Sequence, residues 1–318
     1  MTTASSPGKI ILFGEHAVVS GVTAIGGAVD LRARVTVRDE PGCVLIKTED
    51  LALQGFSLDL ISGRLTSTKA AHATRYISAV LREFDVRDIQ VCIDSSLPPA
   101  AGLGSSAAIV VAAVAAISQH QGQRLSRKEI AAVSHRLEKE VQQGLASPMD
   151  TALATYGGYM QVSGEIQPLD LPPLEMVVGY TKMPHDTKTE VEKVQDLKKH
   201  YSNVVDPIFQ AIGAISERAV PLIGEQNLAE LGLLMNVNHG LLGALGVSSR
   251  ELDELVYAAR GAGGALGAKL TGAGGGGCMI ALPGAAGIDA LMVALRQARG
   301  AAFRVVTGCE GVRLEDDP

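Results

Sequence analysis

The segment 98–117, with the sequence PPAAGLGSSAAIVVAAVAAI, constrains the fold of this chain more than any other stretch. It follows a run typical of a buried strand, 89–93, and passes through small residues into a helix rich in alanine and valine. Gly102 and Gly104 carry no Cβ, so the backbone between strand and helix can take positive φ and approach a ligand closely. We therefore expect a strand, a tight loop and a helix in direct succession.

The helix in this segment begins with Ser105, Ser106 and Ala107, immediately after the glycines. The first amides of a helix have no partner within the helix and lie at the positive end of its dipole, so they favour an anion. Two hydroxyls at this position can also reach a Mg²⁺ ion that phosphate oxygens hold. The segment therefore predicts a phosphate-binding loop.

Other interpretations of the segment need no phosphate. A serine-capped buried helix joined to a strand by a tight turn stays open, because serine caps are common. The spacing Gly102-x-Gly104-x-x-Ala107 fits a dinucleotide fingerprint only loosely, because no acidic residue closes a second strand about twenty positions later. A Walker-type P-loop is excluded, since the one Gly-Lys pair, at Lys9, has no glycine at the required position before it.

The size and composition of the chain narrow its class. It has 318 residues, of which 47% are hydrophobic and 19% charged, enough for one large domain or two of ordinary size. A net charge of −6 gives no general electrostatic support for a nucleic-acid or anionic-membrane partner. The longest apolar run, 107–117, is shorter than the roughly 20 residues of a membrane span, and the N-terminus lacks the features of a secretory signal. The four cysteines form no CxxC or Cys/His pattern, which favours free thiols in a reducing cytoplasm.

Strands and helices alternate without the regular rhythm of a doubly wound sheet, so the sequence predicts an α+β protein with two lobes. Pro168, Pro172 and Pro173 mark a change of composition, and we expect one lobe over 1–168 and a second over 169–318. Strands are predicted over 9–13, 23–26, 33–38, 44–48, 89–93, 176–180 and 302–306, with a glycine-rich hairpin over 268–282. Besides the helix that begins at 105, helices are predicted around 76–84 and over 127–144, 189–201, 207–223, 227–245, 250–261 and 288–299.

Two further segments accompany the predicted phosphate loop. In the first, 7–21 (PGKIILFGEHAVVSG), Lys9 opens a strand that ends at Glu15-His16. The second, 271–282 (TGAGGGGCMIAL), offers another run of backbone amides, but its glycines precede a strand and so do not fit a dinucleotide site. Taken alone, Lys9 fits a solvated strand end, and Glu15-His16 fits a capped turn beside two glycines equally well.

In their order along the chain, 7–21, 98–117 and 271–282, the three segments resemble the motifs of the GHMP small-molecule kinases. The sequence GEHAVV in the first segment is similar to that of the mevalonate kinases within this family. Two more stretches resemble the same family: 144–158 is similar to its catalytic segment, and 235–249 to the helix that covers the substrate. The resemblance implies a two-lobed fold, with an N-terminal βαβ-type lobe similar to a ribosomal protein and a C-terminal ferredoxin-like lobe. It places the active site between an ATP-binding lobe and a substrate-side lobe.

The resemblance also implies a reaction, the transfer of the γ-phosphate of ATP to the C5 hydroxyl of mevalonate with Mg²⁺. Asp150 would take or orient the hydroxyl proton, and Lys9 would lie between Asp150 and the γ-phosphate. Ser106 and Glu138 would hold the metal ion, because Mg²⁺ prefers oxygen ligands. The implied ATP-binding positions are Pro98, Ala101, Gly102, Leu103, Gly104, Ser105, Ser106 and Ala107. The implied substrate-binding positions are Glu15, His16, Gly272, Ala273, Gly274 and Gly275.

Two assignments stay open at the level of sequence. Counting back from Asp150 by the family spacing reaches Lys139, which cannot bind a metal as a cation. An extra residue in the turn 142–144 would restore Glu138, and Glu140 is the alternative. The second open point is a polar group on a leucine-rich helix, which either contacts the substrate or forms an exposed face: Asn236, Asn238 and His239.

Two other functions are compatible with the same motifs. One is a related kinase that acts on another small hydroxylated acid or sugar, and the other is a catalytically silent member that senses a ligand. Intact Lys9, Ser106 and Asp150 argue against the silent form, since a sensor needs no base. Similar enzymes are usually homodimers, so we expect a homodimer that binds mevalonate and ATP.

Overall fold

The computed structural model describes residues 1–48, 58–59, 64–65, 71–98, 101–142, 144, 146–183 and 186–315. Pro99 and Ala100 of the predicted phosphate loop and Gln143 of the turn 142–144 lie outside these residues. The first part of the chain forms β1 (Thr2–Phe13), a 3₁₀ turn (Ala17–Ser20), β2 (Ala24–Asp39), β3 (Val44–Thr48), β4 (Leu58–Asp59), β5 (Arg64–Leu65), α1 (Ala71–Glu83), β6 (Ile89–Ser95), α2 (Ser105–His120), α3 (Arg127–Val141), α4 (Pro148–Tyr156), β7 (Tyr159–Ser163) and β8 (Glu165–Leu169). The second part forms β9 (Glu175–Tyr180), α5 (Thr187–His200), α6 (Ser202–Gly224), α7 (Leu228–Ala244), α8 (Arg250–Arg260), β10 (Gly267–Thr271), β11 (Cys278–Leu282), α9 (Gly287–Gln297), β12 (Ala301–Val306) and β13 (Arg313–Glu315).

The first lobe is built on a mixed sheet with the strand order β13-β1-β2-β6-β3; in addition, β7 pairs with β2, and β8 pairs with β7. β3 and β6 run parallel and are joined through the segment that contains α1, so this part is a βαβ unit. β2 is a single strand where the sequence predicted two, over 23–26 and 33–38. Its pairing with β1 shifts register between Pro7 and Gly8, opposite residues 30–31, and this irregularity interrupts the alternation that a sequence pattern relies on.

α2 is the central helix of the first lobe. Every residue from 107 to 118 is buried, and the helix contacts β1, β2 and the helices α1, α3 and α4. Alanine and valine side chains are small, so sheet and helices can approach α2 closely from all sides. The predicted succession of strand and buried helix is confirmed.

The second lobe contains an antiparallel sheet with the order β10-β11-β9-β12. Taken in chain order, the strands and their connecting helices give β-α-β-β-α-β with the first strand inside the sheet, which is the ferredoxin-like arrangement. The helices α5, α6, α7 and α8 all belong to the first crossover, between β9 and β10. β10 is an edge strand, and α7 packs against it.

The chain crosses between the lobes twice. It leaves the first sheet after β8 and enters the second at β9, and after β12 it returns so that β13 pairs with β1. Arg32 holds this return segment by donating hydrogen bonds to the carbonyl oxygens of Glu310 (2.8 Å) and Gly311 (2.7 Å). The division at 168/169 stays a prediction. The structure adds one feature to it: the C-terminal strand β13 returns to the sheet of the first lobe. Among the described residues, no helix combines the length and the hydrophobicity that crossing a bilayer requires.

Candidate active site

β1 supplies the lysine of the site. Lys9 lies where β1 passes the predicted phosphate loop, and its amide donates a hydrogen bond to the carbonyl oxygen of Leu103 (2.9 Å). Gly104 takes a left-handed φ of +73°, and a Cβ there would lie only 2.8 Å from Cγ of Lys9. The absence of a side chain at Gly104 therefore lets the loop close over the lysine. Lys9 is 8% exposed.

α4 supplies the carboxylate. Asp150 lies in the first turn of this helix, where the helix dipole favours a negative charge. Its Oδ2 lies 3.3 Å from Nζ of Lys9, and the side chains are 22% and 10% exposed, respectively. The structure thus brings Lys9 and Asp150 into an ion pair that a small ligand can still reach. Their roles in a reaction stay predictions.

The N-terminus of α2 lies directly beside Lys9. Its N-cap residue is Gly104, which has no side chain to occupy the first amides of the helix. The other predicted ATP-binding positions divide into two groups: Pro98, Ala101, Leu103 and Ala107 are buried and anchor the loop, whereas Gly102, Gly104, Ser105 and Ser106 are partly exposed. The exposed group is the one that can meet phosphate oxygens.

Glu138 lies on α3 against the same helix start. Its Oε1 accepts hydrogen bonds from Oγ of Ser106 (2.8 Å) and Nε2 of Gln142 (3.1 Å), and only 1% of the residue is exposed. Burial, and after it the negative charge of Asp150, raise the pKa of the Glu138 carboxyl to about 7. Glu140, the alternative from the sequence, points to solvent and pairs with Arg82 (3.1 Å). The structure therefore brings Glu138, not Glu140, to the site.

The donors around Glu138 fit a Mg²⁺ ion. Oε2 of Glu138 is buried and has no hydrogen-bond partner among the described residues. The Ser106 hydroxyl bonds to the other oxygen of the same carboxylate, Oε1. Groups of three or more His, Cys, Asp or Glu side chains that would enclose a metal do not occur in the part of the chain that is described. A Mg²⁺ ion here would thus take oxygen ligands from phosphate and water as well, which is its usual preference.

The glycine-rich connection between β10 and β11 begins at Thr271, which contacts β1. Oγ1 of Thr271 accepts from the Ile11 amide (3.1 Å) and donates to the Ile11 carbonyl oxygen (2.8 Å), which joins the two lobes. Gly274 packs so tightly that a Cβ would lie 2.1 Å from the Val247 carbonyl oxygen. By contrast, a Cβ on Gly272 would meet no described atom within 4 Å, so this end of the loop is open.

Glu15 and His16 follow β1 and face the second lobe. Nε2 of His16 lies 2.8 Å from the carbonyl oxygen of Ala273, and the residue has a left-handed φ of 61°. Burial lowers the pKa of His16, and the Ala273 carbonyl opposes this effect. Glu15 is fully enclosed, and its Oε1 accepts a hydrogen bond from Nζ of Lys269. Whether Glu15, His16 and the glycine-rich loop bind substrate stays a prediction.

Lys269 was not identified by sequence analysis. It lies two residues before the glycine-rich segment 271–282, and a lone strand lysine usually points to solvent. One signal was present: Lys269 is the single charged residue of β10, and a lysine between apolar neighbours in a buried strand needs a buried partner.

Two polar residues of α7, Asn236 and His239, are structural partners of β10. Oδ1 of Asn236 accepts from the Ala268 amide (3.1 Å), and Nδ1 of His239 accepts from the Leu270 amide (3.3 Å). Nε2 of His239 donates to Asp253 (3.2 Å). Asn238 is 0% and His239 6% exposed, so the alternative of an exposed polar face is wrong for these two residues.

Comparisons with known proteins agree with this geometry. Residues 71–158 match the GHMP kinases N terminal domain, and residues 219–300 match the GHMP kinases C terminal model. A mevalonate kinase of Pyrococcus horikoshii is 42% identical over 330 residues, covering 98% of this chain and 97% of that protein. A mevalonate kinase of Pyrococcus abyssi is 41% identical and covers 99% of this chain and 98% of that protein.

Solved structures are similar over the same extent. The crystal structure of L. major mevalonate kinase in complex with R-mevalonate has a TM-score of 0.83 and 27% identity, with 96% of each chain covered. The two-lobed α+β fold predicted from the motifs is confirmed. The near-complete coverage and the identity above 40% show that this chain belongs to the mevalonate kinase family of the GHMP kinases.

Proposed function

We propose that this protein transfers the γ-phosphate of ATP to the C5 hydroxyl of mevalonate and releases 5-phosphomevalonate and ADP. The observation that carries the proposal is the Lys9–Asp150 pair, 3.3 Å apart, between a phosphate loop and a glycine-rich loop of the other lobe. An ammonium and a carboxylate at this junction are the two groups that an alcohol and a triphosphate require to react.

The reaction follows from the placement of these groups. Asp150 accepts the proton of the C5 hydroxyl, or orients that hydroxyl, while the oxygen attacks the γ-phosphorus. The new O–P bond forms as the bond between the γ-phosphorus and the bridging oxygen breaks, and ADP leaves with that electron pair. Lys9 balances the charge on the transferred group, and the amides at Ser105 and Ser106 hold the phosphates.

Ser106 and Glu138 would hold a Mg²⁺ ion beside the phosphates. When bound, the ion would neutralise part of the negative charge on the phosphate oxygens. Ser106 and Gln142 orient the Glu138 carboxylate through hydrogen bonds of 2.8 Å and 3.1 Å, so one oxygen is fixed and the other is left for the metal.

The acceptor side lies between His16 and the open end of the glycine-rich loop at Gly272. In this proposal Ala273, Gly274 and Gly275 form the rest of the acceptor pocket, and Glu15 is buried next to His16. A cytoplasmic location and a homodimeric assembly stay predictions from the family resemblance.

The test is a coupled assay of ADP release with ATP and Mg²⁺ and a panel of acceptors that includes mevalonate, homoserine and galactose. We expect mevalonate to be strongly preferred and ³¹P NMR of the product to show a phosphate coupled to the C5 methylene protons. Preference for another acceptor would favour the related small-molecule kinase. ATP binding without turnover on any acceptor would favour the silent, ligand-sensing form.

A further inference from the structure

The connection between β1 and β2 rests on a helix of the other lobe. It comprises residues 14–22 and is named the His16 turn below. Its Ala17 is fully buried in the apolar core of the second lobe, to which Phe209 and Ile212 of α6 also belong. α6 contacts the 3₁₀ part of this turn. Since β1 and β2 belong to the first lobe, the contact joins the two lobes on the acceptor side of the site.

Gly213 of α6 allows a close approach at this contact. A Cβ on this buried glycine would lie 2.4 Å from Cγ1 of Val22, near the end of the His16 turn. Non-bonded carbon atoms prefer about 3.5–4.0 Å, and the β-branched side chain of Val22 has little rotamer freedom to move aside. Glycine is a poor helix former, so α6 gains nothing from it as a helix. The missing side chain instead sets how closely the His16 turn packs on α6.

Lys198 of α5 reaches the same turn by a hydrogen bond. Its Nζ donates to Oγ of Ser20 (2.9 Å) and pairs with Oδ1 of Asp206 on α6 (3.2 Å). The ring of Phe209 lies 5.2 Å from the same ammonium and adds a cation–π contact. The second lobe therefore holds the His16 turn in two ways, sterically at Gly213 and by a hydrogen bond from Lys198.

Hydrogen bonds within the His16 turn transmit its position to His16. The Val22 amide donates to the carbonyl oxygen of Ala17 (3.4 Å), which directly follows His16, and the Val19 amide donates to the carbonyl oxygen of His16 itself (3.4 Å). Nε2 of His16 lies 2.8 Å from the carbonyl oxygen of Ala273 in the glycine-rich loop. A turn pushed away from α6 would carry His16 with it and open this contact.

We infer that Gly213 and Lys198 are positioning residues for the acceptor side: they seat the His16 turn on the second lobe and so hold His16 against the glycine-rich loop. The effect on mevalonate binding rests on the proposed function, whereas the position of the turn does not.

The test introduces a collision at Gly213 and then relieves it. Gly213→Ala should raise the KM for mevalonate about tenfold and leave the KM for ATP unchanged, because a displacement of about 1 Å can cost up to about 100-fold. In the double variant Gly213→Ala/Val22→Ala, the new Cβ would lie 3.8 Å from the Cβ of Val22, an ordinary contact. The double variant should therefore recover most of the loss, since coupled sites are non-additive.

Matched variants control for the substitutions themselves. Gly224 is the last residue of α6, and a Cβ there would meet no described atom closer than Cδ2 of Leu171 at 3.8 Å. Gly224→Ala should therefore keep the KM of the parent protein. Lys198→Met should raise the KM for mevalonate, whereas Lys199→Met, which removes the exposed neighbouring lysine, should not.

Crystal structures provide a measurement that is independent of activity. In Gly213→Ala the His16 turn should lie further from α6, and Nε2 of His16 should lie beyond hydrogen-bond distance, about 3.5 Å, from the Ala273 carbonyl oxygen. The double variant should restore the contact.

A contact that only stabilises the fold gives a different result. Gly213→Ala would then lower the unfolding free energy without changing the KM for mevalonate, or its crystal would show Val22 turned aside and His16 still bonded to Ala273. Either finding overturns the inference, as does a double variant no better than Gly213→Ala.

Two further outcomes are separable. If Gly213→Ala does not fold, the comparison of Lys198→Met with Lys199→Met decides the inference, and equal KM values for mevalonate would overturn it. If the parent protein does not phosphorylate mevalonate, the proposed function fails, and the distance between His16 and Ala273 in the crystals still decides the inference.

Discussion

Replacement of Gly104 by alanine tests whether the position of Lys9 sets the rate. The new Cβ would lie 2.8 Å from Cγ and 3.3 Å from Cε of Lys9. Non-bonded carbon atoms prefer about 3.5–4.0 Å, so the lysine has to move by about 1 Å. A shift of about 1 Å in a reacting group can lower turnover about 100-fold. The left-handed backbone adds a strain of about 1–2 kcal/mol, which affects stability rather than chemistry.

Gly122 provides a matched control at the other end of α2. Its φ of +76° is nearly that of Gly104, +73°, but a Cβ there would meet no described atom within 4 Å. Gly104→Ala and Gly122→Ala should therefore lose similar unfolding free energy in urea denaturation. Only Gly104→Ala should lose turnover in the ADP-release assay. In a Lys9→Met background, Gly104→Ala should have little further effect, because the displaced ammonium is already absent.

Equal turnover in the two alanine variants would refute this reasoning. A loss from Gly104→Ala that persists in full in the Lys9→Met background would show that the glycine acts on the bound phosphates and not through the lysine.

Three further predictions test other parts of the structure. Glu138→Gln should raise the Mg²⁺ concentration needed for half-maximal activity, whereas Glu140→Gln should not, and a Mg²⁺ titration of both variants checks this. Burial, and after it the positive charge of Arg260, lower the pKa of His239 to about 4 from 6.5. Because the unfolded state then binds the proton more readily, the unfolding free energy should fall by up to about 3 kcal/mol as the pH drops from 6.5 to 4. Urea denaturation at several pH values should show this slope, and His239→Gln should reduce it. Thr271→Val removes both hydrogen bonds to Ile11 and should lower the unfolding free energy by about 1–3 kcal/mol, measured in the same way.

Local pattern was sufficient to predict the elements that depend on local chemistry. The strand over 44–48 is β3, and the hairpin over 268–282 contains β10 and β11. The succession of β6, a glycine loop and α2 was predicted as well, because glycines directly before an apolar helix favour a tight turn; its role in binding phosphate stays a prediction. β8 and β13 were missed, since most of their residues are half-exposed or exposed and so lack the alternation that marks a strand.

The buried face of α7 could not be derived from its sequence. Apolar residues occur on every side of the helix, so periodicity does not distinguish one face from another. Leu233 and Val237 are 63% and 54% exposed, whereas Asn238 and His239 are buried. The physical reason lies in another element: β10 is an edge strand, and the outward amides of Ala268 and Leu270 find their acceptors on α7.

Contacts between the lobes were likewise beyond sequence reasoning. Glu15 was predicted as a substrate ligand because its neighbours resemble a substrate motif. Its partner Lys269 is far away in the chain, and the pairing exists only once β1 and β10 are folded against each other. The choice between Glu138 and Glu140 could not be made from the sequence for the same reason, because it depends on which face of α3 meets α2.

The central claim is that Asp150 acts on the acceptor hydroxyl beside Lys9. The most direct measurement is the turnover of Asp150→Asn with mevalonate and ATP, together with ATP affinity from calorimetry on the same protein. Asparagine keeps the size of the side chain but cannot accept the proton, so turnover should fall by about 100-fold to 10,000-fold while ATP binds as in the parent protein. Turnover near that of the parent protein would contradict the account.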